Sequence, residues 1–274
     1  MGGRPWSQVS AEVQGSGHKK TDTPCQDKTI CISRNKVHLI ALADGAGSAS
    51  LSHYGAEAVI TQVGNYVVDN FDNLCELGFK EIKASIAQVM RHTLEALSIQ
   101  LGCEKRDLSS TFLLVAVKRD RFISIHVGDG VIGILDRDGL KVLSSPENGE
   151  YANMTWFTTA SSLEAVMRIY AGDASITSGF ILMSDGVEPS LYNGTDDTLA
   201  DAVFNLMYMN AKCSAGEMKA MLEDCLANVI SLRTRDDCSL ALLSRTRFKN
   251  FDEYSKYRRK VAKRERAERK CKGL

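Results

Sequence analysis

Four aspartate-bearing segments of this chain share one design. Asp44-Gly45 closes the apolar run 37–43, and Asp185-Gly186 follows the run 180–183 after a single serine. Gly128-Asp129-Gly130 ends the run 123–127, and Asp236-Asp237 stands just before the apolar stretch 238–243. Alone, an Asp-Gly pair is an ordinary turn. Repeated at the ends of several strand-like runs, it can bring side-chain oxygens and backbone carbonyls to one place. Hard divalent cations take ligands of that kind. Three to five carboxylates at one point repel each other unless cations neutralise them. A pair of Mg2+ or Mn2+ ions about 3.5–4 Å apart would do so, would clamp a phosphoryl group, and would make bound water nucleophilic near neutral pH. That chemistry needs aspartates and no nucleophilic serine or cysteine. The chain has no Gly-x-Ser-x-Gly elbow, no Gly-x-x-x-x-Gly-Lys loop and no His-Glu-x-x-His helix.

The surrounding pattern supplies strands and helices to hold these residues. Residues 28–33 and 37–43 read as two strands joined near Arg34-Asn35. Ala56, Val59, Ile60, Val63 and Val67 recur on one helical face. A second helix over 79–101 carries the stripe Phe79, Ile82, Ile86, Val89, Thr93 and Leu97. Strands follow at 111–117, 122–127, 131–135 and 140–144, with tight turns at Gly128-Asp129-Gly130 and Asp138-Gly139. Further strands fall at 155–159, 165–171 and 179–183, and helices at 199–209 and 215–230 precede a last strand at 238–243. Strands and helices come in blocks, without the regular alternation of a parallel fold. The expected class is α+β, with antiparallel sheets and helix pairs packed outside them.

At 274 residues the chain can bury a substantial core. Residues 1–244 read as one domain, its compact body starting near Trp6, and 245–274 as a basic, helix-permissive tail. No apolar stretch reaches the roughly eighteen residues of a membrane span, and 1–14 lack the apolar core of a secretory signal. None of the eight cysteines forms a Cys-x-x-Cys pair, so reduced thiols and a cytoplasmic location are expected. Lysine plus arginine total 34, as do aspartate plus glutamate. About thirteen of the bases, against four acids, fall in the tail, leaving the body acidic. The tail has few aromatics and no recognition motif, so solvation or an acidic partner is a better expectation than nucleic acid. His126 reads as packed in a strand, and His53 and His92 as helix residues.

Seven segments, in order, resemble the metal-dependent PP2C-type (PPM) serine/threonine phosphatases in their bacterial branch. They are Pro24-Cys25-Gln26-Asp27, Leu42-Ala43-Asp44-Gly45, Ser109-Ser110-Thr111, Val127-Gly128-Asp129, residues 149–155, Met183-Ser184-Asp185-Gly186 and Asp236-Asp237-Cys238-Ser239. The resemblance spans 15–243. It implies a central β-sandwich flanked by helix pairs and two Mg2+ or Mn2+ ions, with a third in some members. Asp44 would bridge both ions, with the Gly45 carbonyl on one of them. Asp185 and Asp236 would hold the first ion, and Asp27 would stand beside the second. Asp129, with Asp185, matches the third-ion position. The implied activity is hydrolysis of phosphoserine and phosphothreonine by metal-activated water. A phosphoprotein substrate and an opposing cognate kinase are the implied partners.

Three positions depart from the family pattern. Gln26 stands where many members carry glutamate, Asp22 where a phosphate-binding arginine is usual, and Ala46 where eukaryotic relatives place a histidine. His18, Lys19 and Lys20 are the nearby cations that could hold phosphate, and His18 or metal-bound water could protonate the leaving group. These departures support a second reading, a phosphatase-like binding or regulatory module with little turnover. Against it, a dead module has no evident reason to keep a costly anionic cluster.

Overall fold

Every residue of Val37–Ala43 except His38 is buried, which a strand with one wet face would not show. Successive side chains of a strand point to opposite sides. Leu39 and Ala41 accordingly enter one hydrophobic layer, and Ile40 and Leu42 enter another. A strand clad on both faces needs a cover on each. That need sets the architecture.

The computed structural model describes residues 5–147, 155–245, 253, 255–257, 259–260 and 263. The chain begins with β1 (Ser7–Val13), α1 (Ser16–Thr21), β2 (Lys28–Arg34) and β3 (Val37–Ala43). Two long helices follow, α2 (Ser52–Leu74) and α3 (Phe79–Leu101). Next come β4 (Phe112–Lys118), β5 (Arg121–Val127), β6 (Val131–Leu135) and β7 (Leu140–Ser144). Short α4 (Leu163–Val166) leads to β8 (Arg168–Asp173) and β9 (Gly179–Met183), and α5 (Glu188–Leu191) to a small hairpin, β10 (Tyr192–Asn193) and β11 (Thr198–Leu199). The helices α6 (Ala202–Asn210) and α7 (Ala215–Cys225) precede β12 (Cys238–Ser244).

Two five-stranded antiparallel sheets result, β1-β12-β9-β6-β7 and β2-β3-β4-β5-β8. Ile40, Leu42, Val115 and Phe122 of one sheet meet Ile132, Phe180, Leu182 and Leu243 of the other in the central layer. Val59, Val63 and Val67 of α2 and Ile86 and Met90 of α3 cover the outer face of the β2-β3-β4-β5-β8 sheet. Phe204, Met207, Met218 and Leu222 of α6 and α7 cover that of the β1-β12-β9-β6-β7 sheet. The α+β sandwich flanked by helix pairs is thus the observed fold. Among the described residues no helix is long and apolar enough to cross a membrane.

Several elements differ from the sequence expectation. β1 was not anticipated, although Val9, Ala11 and Val13 alternate with polar residues; it pairs with β12 from Ser7↔Ser244 to Val13↔Cys238. Residues 155–159 form no strand, because their backbone is tied across to the strand ends, as in Thr158 N–H to Ser110 O at 2.8 Å. The span 165–171 divides into α4 and β8. In α3 the core face is Ile82, Ile86, Met90 and Leu94, whereas Phe79 is 54% exposed. That helix ends where Gly102 takes a left-handed conformation, φ 65°, a stop that glycine adopts without steric cost. The helix near 215–230 changes at Leu226 into a π-helical turn ending at Ile230. The segment 149–155 lies outside the described residues except Thr155, and so does most of the basic tail. Of the described tail residues, Arg245 directly follows β12 and the others are helical, and Tyr257 Oη donates to Asp136 O at 2.8 Å.

The start of α2 is seated at Gly55 against the 3-10 turn Lys105–Leu108 that precedes β4, where an added Cβ would lie 2.0 Å from Leu108 O. Backbone cannot swing aside as a flexible side chain can. Gly55→Ala should therefore cost about 1–3 kcal/mol of stability, the usual penalty of overpacking. Urea unfolding should show a lower midpoint with an unchanged slope.

Candidate metal centre

Strands from both sheets end on the same side of the sandwich, and the aspartates sit at those ends. Asp44 follows β3, Asp129 follows β5 by one glycine, Asp185 follows β9 by one serine, Asp236 precedes β12 by one residue, and Asp27 precedes β2 directly. Asp44, Gly45, Asp129, Asp185 and Asp236 line a cleft of about 170 Å³, together with Gln26, Ala46, Gly47, Thr111, Thr155 and Phe157. Asp27 lies beneath it, fully buried. All six residues expected to ligate metal therefore gather at one place. Among the described residues they do not close into a tight three-ligand cage; they are spread around the cleft.

Local bonds fix these groups. Asp44 N–H donates to Thr111 Oγ1 at 2.9 Å, and Thr111 N–H donates to Asp44 O at 2.8 Å. Gly45 fits because a Cβ there would meet Ser52 Oγ at 2.7 Å. Gly128 turns the chain after β5 with φ 110°, a region that glycine enters freely. Thr155 donates its hydroxyl to Asp129. Arg168 clamps this turn from behind, donating to Gly128 O at 3.2 Å and Ser145 O at 2.6 Å and pairing with Glu147 at 3.1 Å. His126 packs in the sheet with Ser144 Oγ 2.8 Å from Nδ1, a structural role as expected.

The electrostatics are unbalanced without a cation. Burial pushes Asp27 up to about 7. Burial and then the Asp236 charge push Asp185 up to about 6. Asp44 is held well above the carboxylate range by burial and by the neighbouring Asp27 and Asp185 carboxyls. Both oxygens of Asp27 and Oδ1 of Asp185 are buried and receive no hydrogen bond of good geometry, the Ser184 and Ser239 hydroxyls lying beside Asp27 without cancelling its charge. Among the described residues no lysine, arginine or histidine pairs with any of the five aspartates. An all-oxygen donor set with orphaned carboxylate oxygens fits hard divalent cations.

Asp237 has a different fate from its neighbour. It is buried, accepts from Gly15 N–H and Gln26 N–H at 2.6 Å each, and lies 2.9 Å from His18 Nδ1. It ties α1 to the cleft wall and contributes no group to the cleft. His18 is thereby seated against Asp237, not in the lining, while Lys19 and Lys20 are exposed. Sequence reasoning missed Glu188, half-buried at the start of α5 and raised by burial and by Asp185 and Asp129. Its place three residues after Asp185 was the available signal. Arg168 carried no local signal, since its partners are more than twenty residues away.

Raised carboxyl values mean that the metal-free folded protein binds more protons than the unfolded chain between about pH 4 and 7. Its stability should therefore fall as pH rises through that window. Asp27→Asn should flatten this slope and raise the metal-free melting temperature at about pH 7.5. Mn2+ should raise the wild-type melting temperature more at about pH 7.5 than at pH 5, because protons compete for the ligands. Thermal melts with chelator or Mn2+ check both; superimposable profiles for the two proteins would refute the assignment. Asp237→Ala should cost about 2–4 kcal/mol, since two buried N–H groups lose their acceptor.

Residues 14–227 match the family described as protein phosphatase 2C. The chain is 28% identical over 250 residues to Serine/threonine-protein phosphatase 3 of Escherichia coli (strain K12), covering 86% of this chain and 97% of that protein. Its fold is similar to serine/threonine phosphatase Stp1 from Staphylococcus aureus, with a TM-score of 0.58, 13% identity, and coverage of 89% of this chain and 96% of that one. It is also similar to the catalytic domain of the serine/threonine phosphatase PstP in complex with two manganese ions, with a TM-score of 0.58, 17% identity, and coverage of 87% and 97%. With the match extending over most of the sandwich and its acidic cleft, this chain belongs to the protein phosphatase 2C family.

Proposed function

We propose that this protein is a Mg2+- or Mn2+-dependent phosphatase that hydrolyses phosphoserine and phosphothreonine in proteins. The observation that carries the reading is the cluster of buried carboxyls of Asp27, Asp44 and Asp185, packed together with no cationic side chain paired to them among the described residues. Asp44 would serve both ions, with the Gly45 carbonyl on one of them, Asp185 and Asp236 would hold the first, and Asp27 would support the second. Asp129, with Asp185, would take a third. Bound there, the ions supply Lewis acidity toward the phosphoryl oxygens and lower the pKa of water. The relative in Escherichia coli is a serine/threonine phosphatase, and the similar PstP domain holds two manganese ions.

The chain's own residues do the positioning. Thr111 fixes the backbone of Asp44, and Thr155 orients the Asp129 carboxyl. Gln26 supplies an amide where a carboxylate would add charge, which weakens the hold on the second ion. His18, held by Asp237, acts on the site through the Gly15 and Gln26 backbone that the same carboxylate anchors. A thiolate nucleophile is disfavoured. Burial pushes Cys238 up to about 12 and Cys25 higher still, and a protonated thiol is a poor nucleophile. A cytoplasmic phosphoprotein, phosphorylated by an opposing kinase, is the substrate this reading implies.

Turnover of an aryl phosphate tests the proposal. It should require added Mn2+ or Mg2+, stop with chelator, and fall at least about 100-fold in Asp44→Asn, the scale of losing electrostatic stabilisation in a reaction centre. Metal-independent hydrolysis would overturn the mechanism. Calorimetric metal binding with no hydrolysis of any phosphopeptide would favour a binding module instead.

A further inference from the structure

Beside the cleft, and outside its lining, lies a group of cations without a carboxylate partner. Lys19 and Lys20 on α1, and Arg233 and Arg235 on the loop before Asp236, are all exposed. Among the described residues none of the four forms an ion pair, whereas Arg34, Arg91, Arg106, Arg121 and Arg168 each face a carboxylate. The fold holds the two segments together in spite of their like charge. Gly17 N–H donates to Arg235 O at 2.8 Å, and Gly15 is packed so closely that a Cβ would lie 2.3 Å from the Asp236 backbone. The edge is continuous with the cleft. Asp236 lines it, and Asp237 joins α1 to Gln26 in its wall. Leu232, next to Arg233, is 78% exposed.

We propose that this edge is a specificity surface for acidic residues flanking the phosphorylated side chain of a protein substrate. The inference rests on the phosphatase reading and names its substrate class. With the phosphoryl group in the cleft, the chain on one side of it must leave over α1 and the 233–235 loop. Four exposed cations there attract acidic side chains and repel basic ones, which gives discrimination by complementarity. Leu232 adds an apolar contact to the same segment. The attraction acts through solvent, so salt screens it on a length of about 8 Å at physiological ionic strength. The metal chemistry is untouched by these side chains, so the preference appears in KM and in kcat/KM.

Steady-state kinetics of the full chain with Mn2+ test this, using an aryl phosphate and three phosphothreonine peptides with acidic, neutral or basic flanks. The acidic peptide should exceed the neutral one in kcat/KM by about tenfold at low salt, and the ratio should approach one at about 0.5 M salt. Arg233→Glu with Arg235→Glu should invert the order of the acidic and basic peptides, chiefly through KM, while aryl phosphate turnover stays unchanged. Lys19→Glu with Lys20→Glu should lower the same acidic-to-neutral ratio. Normal aryl phosphate turnover with equal rates for all three peptides would overturn the surface and leave the phosphatase reading standing. Absence of turnover on every substrate would overturn the phosphatase reading itself, and with it this inference.

Discussion

Mutual repulsion of carboxylates at one end of the sandwich is the constraint on which the rest of this structure depends. Asp27, Asp44, Asp129, Asp185 and Asp236 come from five separate places in the sequence and meet where strands of both sheets stop. Such a gathering costs free energy in two ways, through lost hydration and through like charge. The raised values of Asp27, Asp44 and Asp185 express both costs. The fold bears this because its hydrophobic layers are extensive. A central sheet-to-sheet layer and two helix-to-sheet layers fix the strand ends whether or not the charges agree.

The protein could have relieved the repulsion with lysine or arginine, and it does not. The neighbours of the cluster include hydroxyls, an amide and glycines: Ser184, Ser239, Thr111, Thr155, Gln26, Gly45 and Gly47. Neutral groups of this size fix backbone and side chains without cancelling negative charge, so the site keeps its demand for a small cation. Adjacent Asp236 and Asp237 show the contrast within two residues. Asp237 has two N–H donors and His18 around it and serves the framework. Asp236 keeps an opening to the cleft. The arginine nearest the third acidic turn, Arg168, reaches the Gly128 carbonyl and Glu147, not Asp129. Its charge is spent behind the site, where it stiffens the turn and leaves the carboxyl available.

Much of the architecture was legible because burial leaves period and run length in the sequence. The strands 131–135, 140–144 and 179–183 and the helix 79–101 match their observed limits, since each is bounded by turn residues or a helix-stopping glycine. The acidic sites were legible for a related reason: an aspartate that interrupts an apolar run is anomalous unless something needs it. Legibility failed where tertiary partners outweigh local pattern. Residues 155–159 have the composition of a strand, yet their hydrogen bonds go to Ser110 and Asp129. The stripe of α3 holds at Ile82 and Ile86, but packing with α2 and the β2-β3-β4-β5-β8 sheet adds Met90 and Leu94 and leaves Phe79 exposed.

By itself the sequence determined the strand ends, the aspartates upon them, the block order of strands and helices, and the expectation of an oxygen-lined metal site. These follow from hydrophobic period and from residue chemistry, which are local properties. Only the tertiary structure decided which of Asp236 and Asp237 opens to the cleft, that His18 is bound to the framework, and that Arg168 braces the Asp129 turn. It alone set Lys19 and Lys20 beside Arg233 and Arg235. Most of those outcomes depend on hydrogen bonds from backbone N–H groups to residues more than two hundred positions away, and the Arg168 brace on carbonyls 23 and 40 positions away. Pairing over such separations is fixed by which sheet edges meet, and no window of sequence contains that information.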